Sequence, residues 1–439
     1  MDDNKLELLF LKYNLALNTL KSQFNSLNLE YSLLGGNNPI EHIKYRIKTK
    51  KSIAGKLAKR GCEISSETIE KELRDVVGVR IICSFLSDKD QIIQRIRDNF
   101  DVIVEKDYIT KPKDTGYTSY HMIVKVPIQI GNERTFVTAE IQVRTIAMDM
   151  WASLEHKIWY KKNVDLPPKM MDYILKTAQV STEIDETLDQ LVQELEVTPI
   201  IPISYQDIPK INEKRYKLSM LKYEYALKKL EDKFRLLSEE YARVEYLNPI
   251  EHMKSRIKTR ESIFKKLNKQ GRKFNIENIE KHINDVAGLR IVCSFQSDLY
   301  ELIDWFKSDI AREGQLDPNF KIITEKDYVA LPKESGYSSY HILVQVPIYL
   351  QSGITYAKVE IQIRTIAMDM WASLEHKLCY QRDYVDPTIR QKLKDTSEII
   401  RIIDENMDYM LKEIHCNQNF IEDTNKKRKI LLPTSNNTK

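Results

Sequence analysis

The 439-residue sequence has little cysteine: five residues (Cys62, Cys83, Cys293, Cys379, Cys416), odd in number, far apart and never in a CxxC pair. That excludes a disulfide framework and a cysteine zinc site. It also has no apolar run near the ~18–20 residues that a membrane-spanning helix needs, so no membrane partner is expected. The N-terminal stretch MDDNKLELLF lacks the basic segment that opens a secretory signal, which points to a soluble, cytoplasmic, reduced protein. Charge of one sign is missing too. The 68 basic and 64 acidic residues leave only +4, so contacts with nucleic acid or nucleotides must come from local clusters. There is no GxxxxGK[ST] phosphate loop, no GxGxxG, no HExxH and no His-Asp doublet.

What is present is one unit written twice. EIQVRTIAMDMWASLEHK (140–157) returns as EIQIRTIAMDMWASLEHK (360–377), with only Val143/Ile363 changed. NPIEHIKYRIKTKKSI (38–53) pairs with NPIEHMKSRIKTRESI (248–263), and DVVGVRIICSF (75–85) with DVAGLRIVCSF (285–295). EKDYITKPKDTGYTSYH (105–121) pairs with EKDYVALPKESGYSSYH (325–341). The offset grows from 210 to 220, which places a ten-residue surface insertion in the polar stretch 308–320. So long a period means a duplicated globular domain and not a solenoid. The expected layout is a first domain over 1–196, a Pro-containing linker over 197–211, a second domain over 212–416 and a basic, disordered tail over 417–439.

Hydrophobic spacing gives a coarse fold for one copy. Leu6, Leu9, Tyr13, Leu17, Leu20 and Phe24 predict an amphipathic helix over 5–34, repeated at 215–246. Ile53 and Leu57 extend the helical reading to 40–60. VGVRIICSF, HMIVKVPI and RTFVTAEIQVRT read as strands, the last two around the turn IGNE. Residues 91–100, 146–162 and 169–196 read as helices, and Met150, Leu154 and Ile158 share a face of the second. The order α-α-β-α-β-β-β-α-α predicts an α+β (mixed α/β) domain, a small mixed sheet flanked by helices, duplicated in tandem.

The chemistry sits where the copies agree. In TFVTAEIQVRT, alternation puts Val137, Ala139, Ile141 and Val143 on one face and Thr138, Glu140, Gln142 and Arg144 on the other. Acid, amide and base in line read as the floor of a site. An ordinary solvated face would give a similar pattern, but near-identity between copies that diverge elsewhere weighs against it. Asp75 precedes a strand and is followed by Gly78; with Glu140 it is placed to share one Mg²⁺, a turn or helix-cap acid being the plain alternative. In RIKTKKSIAGK, Arg46 and Lys48 lead a basic cluster, and Ser52 and Lys56 lie one helical turn apart, a spacing that suits phosphate oxygens or a merely solvated helix. Lys113, Tyr117 and His121 lie on a Gly-hinged basic loop whose tyrosine could stack on a base or sit half-buried at a strand edge.

Together, these four motifs, in order and twice over, resemble the RelA/SpoT-type alarmone synthetase domain, above all the small alarmone synthetases. The resemblance implies a nucleotidyltransferase-like fold and transfer of pyrophosphate from ATP to the 3′-hydroxyl of GTP or GDP, giving (p)ppGpp and AMP in the stringent response. It implies ATP contacts at Arg46, Lys48, Ser52, Lys56 and Arg80, and again at Arg256, Lys258, Ser262, Lys266 and Arg290. It implies catalytic, Mg²⁺-binding carboxylates at Asp75 and Glu140 and at Asp285 and Glu360, with Glu activating the hydroxyl. Acceptor contacts fall on Lys113, Tyr117, His121 and Gln142 and on Lys333, Tyr337, His341 and Gln362. A homo-oligomer or an intrachain pseudo-dimer is implied as well, with RNA as a further partner for the basic tail. One departure stands out: the family commonly reads GYRSxH, whereas Thr118 and Ser338 replace that arginine here, which on this reading removes a phosphate contact. That leaves two alternatives beside the main one: an acceptor such as a tRNA 3′ end or an adenosine nucleotide, or a nucleotide-binding regulatory module with one copy silent.

Overall fold

A computed structural model describes residues 2–33, 38–157, 168–195, 209, 211–243, 248–317, 319–350, 353–380 and 385–431. The chain divides into two compact units, Met1–Val197 and Thr198–Lys439. Most of the expected linker lies outside the described residues. No described helix is long and apolar enough to cross a membrane.

The first unit runs α1 (Asp2–Leu33), β1 (Ile40–Ile47), α2 (Lys50–Ala58), α3 (Ser66–Glu72), β2 (Val77–Cys83), α4 (Leu86–Asn99), β3 (Asp101–Asp107), β4 (Tyr120–Ile130), β5 (Glu133–Thr145), α5 (Ile146–Glu155) and α6 (Pro168–Glu194). Its five strands lie in the order β1-β2-β5-β4-β3. Only β2 and β5 are parallel; the other pairs are antiparallel. The alternation of β5 sends Val137, Ala139, Ile141 and Val143 into one core with Leu9, Tyr13, Leu20 and Phe24 of α1 and Ile92, Ile93 and Ile96 of α4. Gly131, at φ +57°, turns the hairpin between β4 and β5, a conformation that side chains with a Cβ seldom adopt. The mixed α+β architecture read from the sequence is the one observed.

The second unit repeats the plan: α7 (Glu213–Arg243), β6 (Ile250–Ile257), α8 (Arg260–Lys269), α9 (Ile276–His282), β7 (Ala287–Cys293), α10 (Gln296–Gly314), β8 (Lys321–Asp327), β9 (Tyr340–Leu350), β10 (Gly353–Thr365), α11 (Ile366–Glu375), one turn of π-helix (His376–Tyr380) and α12 (Pro387–Leu431). Its strand order, β6-β7-β10-β9-β8, matches the first.

Three expectations are corrected. Residues 40–47 are a strand, not the start of a helix. Ile43, Tyr45 and Ile47 recur every second residue and pack on the core, so period two wins over the helical spacing of Ile53 and Leu57 that belongs to α2. The insertion at 308–320 is not only surface: it lengthens α10, buries Ile310 and ties Asp309 and Glu313 to Lys233 of α7. And α12 continues to Leu431, through much of the expected disordered tail, because no Pro or Gly interrupts the sequence from 388 until Pro433. The helix expected over 146–162 is described as α5 to Glu155; Ile158 lies outside the described residues.

Thr145 does two jobs at the β5–α5 junction. Its Oγ1 accepts from the Met148 amide at 3.1 Å, capping α5, and donates to Asp185 of α6 at 2.5 Å. Thr365 repeats this with the Met368 amide and, at 2.9 Å, Asp404. Burial pushes the carboxyls of Asp185 and Asp404 up to about 7. Between the ordinary value of 3.8 and about 7 the folded chain therefore holds protons that the unfolded chain has released. Stability conferred by these protons is full below that window and lost as pH rises through it. Thermal midpoints should fall between pH 5 and pH 8, and the fall should shrink in the Asp185→Asn/Asp404→Asn chain.

Candidate active site

The polar face of the sheet is assembled by register. Glu140 and Gln142 of β5 lie opposite Gly78 and Arg80 of β2, which lie opposite Arg46 and Lys44 of β1. These six side-chain positions line a cleft of about 240 Å³. A Cβ at Gly78 would come within 3.3 Å of the Arg46 side chain, which would have to move by a few tenths of an ångström.

A closed ring of hydrogen bonds runs across this face. His121 Nδ1 lies 3.0 Å from Glu140 Oε1, and its Nε2 lies 2.9 Å from the Tyr117 hydroxyl. Arg144 donates to that hydroxyl and, at 2.9 Å, to Gln142 Oε1. Gln142 Nε2 closes the ring by donating to Glu140 Oε2 at 2.8 Å. The geometry is satisfied when Nδ1 carries the imidazole proton and Tyr117 donates to Nε2. Burial alone would raise the Glu140 carboxyl, but the hydrogen bonds from His121 and Gln142 outweigh it and hold it below its ordinary value. The second unit repeats the other links through His341, Tyr337, Arg364, Gln362 and Glu360, but the His341–Glu360 distance is 3.6 Å, an ion-pair distance too long for a hydrogen bond, so the ring is open there.

Beneath the ring lies Asp149, 3% exposed. Its Oδ1 accepts from Arg80 at 2.8 Å and from Arg144 at 3.2 Å, and its Oδ2 accepts from Lys44 at 3.1 Å. Burial opposes ionisation, yet these cations carry the carboxyl far below its usual range. Asp369 plays the same part with Arg290 and Arg364 and is lowered to about 2. Asp149 and Lys44 escaped the sequence reading. The strand-period spacing of 43, 45 and 47 would have placed Lys44 on this face, and the repeated RTIAMDMW segment pointed at Asp149.

Asp75 is held at 2.6 Å by both Lys48 and Lys56, and its Oδ1 is buried without a hydrogen-bond partner. Desolvation would raise its carboxyl; the two ammoniums overcome that and lower it. Asp285 is paired in the same way with Lys258 and Lys266, one on each oxygen. Ser52 and Ser262 lie apart from these clusters, their amides capped by Thr49 and Thr259 at the start of α2 and α8. On the loop before β4, the Lys113 ammonium lies 4.7 Å from the Tyr108 ring centre and 4.5 Å from that of Tyr117. Lys333 repeats this over Tyr328 and Tyr337. Thr118 is buried, and Ser338 opens onto a cavity behind the loop that does not include Tyr337, His341 or Glu360.

The family profile described as "Region found in RelA / SpoT proteins" matches residues 45–165 and 255–384, more than half of the chain. The chain belongs to this family. Among RelA/SpoT relatives, it is 43% identical over 198 residues to the GTP pyrophosphokinase YwaC of Bacillus subtilis, covering 45% of this chain and 93% of that protein. It is 32% identical over 199 residues to the GTP pyrophosphokinase YjbM of the same organism, covering 45% of this chain and 92% of that one. The crystal structure of small alarmone synthetase 1 from B. subtilis bound to its product pppGpp is 30% identical, covers 44% of this chain and 98% of its own, and has a TM-score of 0.40. Each of these matches spans less than half of this chain and more than nine-tenths of the relative.

Removing Asp149 strands the buried Arg144 guanidinium, a change that typically costs about 3–5 kcal/mol. Asp149→Ala should lower the denaturation midpoint accordingly, whereas replacing the exposed Asp90 should leave it unmoved.

Proposed function

We propose that each domain is a GTP diphosphokinase that moves the pyrophosphate of ATP to the 3′-hydroxyl of GTP or GDP, making (p)ppGpp and AMP. The observation that carries this reading is the closed ring, which fixes an ionised Glu140 within a cleft rimmed by cations. The names of the relatives support the same reaction. In this scheme the acceptor 3′-oxygen attacks the β-phosphorus of ATP, the bond to the α-phosphate oxygen breaks and AMP leaves. The hydroxyl proton passes to Glu140, whose lowered pKa keeps it ionised and able to accept. Arg46, Lys48, Lys56 and Arg80 supply positive charge to the ATP phosphates and base. Lys113 and Tyr117 hold the acceptor, whose base takes the place of the ammonium now above the Tyr117 ring. Holding both nucleotides in line contributes several kcal/mol by proximity.

Magnesium fits the residues present. Asp75 and Glu140 are hard oxygen donors close enough to influence each other's ionisation, and Asp75 Oδ1 is buried with no partner. An ion of this kind takes one or two carboxylates and completes its shell with water and phosphate. Asp75 and Glu140, or Asp285 and Glu360, would hold it, and it would neutralise charge spread over the transferred phosphates. We place the activity in the cytoplasm, within the stringent response.

The test uses γ-labelled ATP with Mg²⁺ and GTP, GDP, GMP or tRNA as acceptor. Label should appear in pppGpp or ppGpp; label in tRNA alone would overturn the acceptor assignment. Glu140→Gln combined with Glu360→Gln should reduce transfer by about 10²–10⁴-fold while leaving the folded circular-dichroism spectrum intact. Each single variant should keep the activity of the other domain.

A further inference from the structure

The repeated stretch EKDY ends β3 and opens the loop before β4, and its tyrosine stands outside the ring of hydrogen bonds. The Asp107 carboxylate accepts from the amides of Ile109 and Thr110 at 2.8 and 3.0 Å. Asp327 does the same for Val329 and Ala330, both at 2.9 Å. Such a turn fixes the backbone on both sides of the tyrosine. The Tyr108 amide also donates to the Ser119 carbonyl at 3.0 Å, as that of Tyr328 does to Ser339. Tyr108 is thereby pinned beside the strand start that carries Tyr117 and His121. Within the loop, the Gly116 amide donates to the Lys113 carbonyl at 2.8 Å, and the Lys113 amide to that of Tyr117 at 3.2 Å. This turn brings Lys113 back beside Tyr117.

One aromatic ring therefore touches three groups of the loop and strand. The Tyr108 ring meets that of His121 at 5.2 Å and 85°, and that of Tyr117 at 6.2 Å and 69°. Both are edge-to-face contacts, a geometry that aromatic quadrupoles favour. The Lys113 ammonium lies against both tyrosines, 4.7 Å from the Tyr108 centre and 4.5 Å from that of Tyr117. In the second domain Tyr328 meets His341 at 5.3 Å and 89° and Tyr337 at 6.2 Å and 70°. There the Lys333 ammonium lies 4.8 and 4.5 Å from the two tyrosine centres. Between tyrosine and lysine the copies read ITKP and VALP, so the arrangement persists while the residues between them drift. A base stacked on Tyr117 takes that ring from the ammonium. Tyr108, braced by His121, still offers its own.

We propose that Tyr108 and Tyr328 are positioning residues, which keep the Lys113 and Lys333 ammoniums beside the acceptor while its base occupies Tyr117 or Tyr337. The cation then passes from two rings to one, and not from a ring to water. Its charge stays at the acceptor instead of swinging away on a flexible stem, and displacing it costs less. All of these contacts are made by the tyrosine ring, so phenylalanine serves as well. The identity of the acceptor rests on the pyrophosphate-transfer reading; the coupling of tyrosine to lysine does not.

Equilibrium dialysis of the full chain with labelled GDP tests this, with each substitution made in both copies. Tyr108→Leu/Tyr328→Leu should raise the Kd for GDP about three- to tenfold, the scale of one cation–π contact. Tyr108→Phe/Tyr328→Phe should stay within about twofold of wild type, because the ring is kept. In a Lys113→Met/Lys333→Met background the leucine pair should cost nothing further, since the cation it holds is gone. Labelled ATP should bind the wild type and the leucine and phenylalanine pairs alike. Equal losses of GDP affinity with and without the lysines would make the tyrosine a packing residue and overturn the proposal. An unchanged Kd in the leucine pair would overturn it too. Tyrosine–lysine coupling in GDP binding, without any transfer of label from ATP to GDP, would overturn the reaction and leave this role standing.

Discussion

A buried carboxylate under the sheet holds the reaction face together. Asp149 binds Arg144, Arg80 and Lys44, which come from three different strands. Arg144 in turn fixes both Tyr117 and Gln142, and through them His121 and Glu140. A guanidinium so deeply buried is tolerable only beside such a partner. On the proposed reaction, the loop that holds the acceptor, the carboxylate that takes its proton and the arginine beside ATP are thus fastened to one point. That is the preorganisation an electrostatic catalyst needs, because its charges do not have to reorient during the reaction.

Much of this was legible because the chain carries its own comparison. Two copies that diverge along α6 and α12 yet keep EIQxRTIAMDMWASLEHK mark the floor of the site, and the period of β5 says which residues face it. The rest was hidden for physical reasons. Ile53 and Leu57 lent a helical look to a region whose first half is a strand, so Lys44 was not placed on the polar face. The Arg144–Asp149 tie spans a strand-to-helix junction, where neither the period of a strand nor that of a helix applies. The burial of Thr118 depends on how its loop seats on the rest of the fold, and spacing carries no trace of that. The length of α10 depended on which residues found a partner helix, as Asp309 and Glu313 did in Lys233.

Duplication has left the two domains alike in plan and different in detail. The ring closes by hydrogen bonds in the first domain, where the His121–Glu140 contact is 3.0 Å, and is open by 3.6 Å at the same place in the second. The second domain also has the longer α10, with Asp309 and Glu313 tied to Lys233. That change lies outside the polar sheet face, where the two copies keep the same residues.

The pairing of Asp75 with Lys48 and Lys56 leaves that acid half engaged. Both ammoniums rest on Oδ2, while Oδ1 has no hydrogen-bond partner. Two positive charges against one negative leave the cluster with a surplus of one positive charge. On the proposed reaction, an arriving triphosphate would compete with the carboxylate for the lysines, and each lysine it drew away would return charge to the acid. Donor and metal ion would then favour each other's binding, through three side chains gathered from the ends of two strands and one short helix.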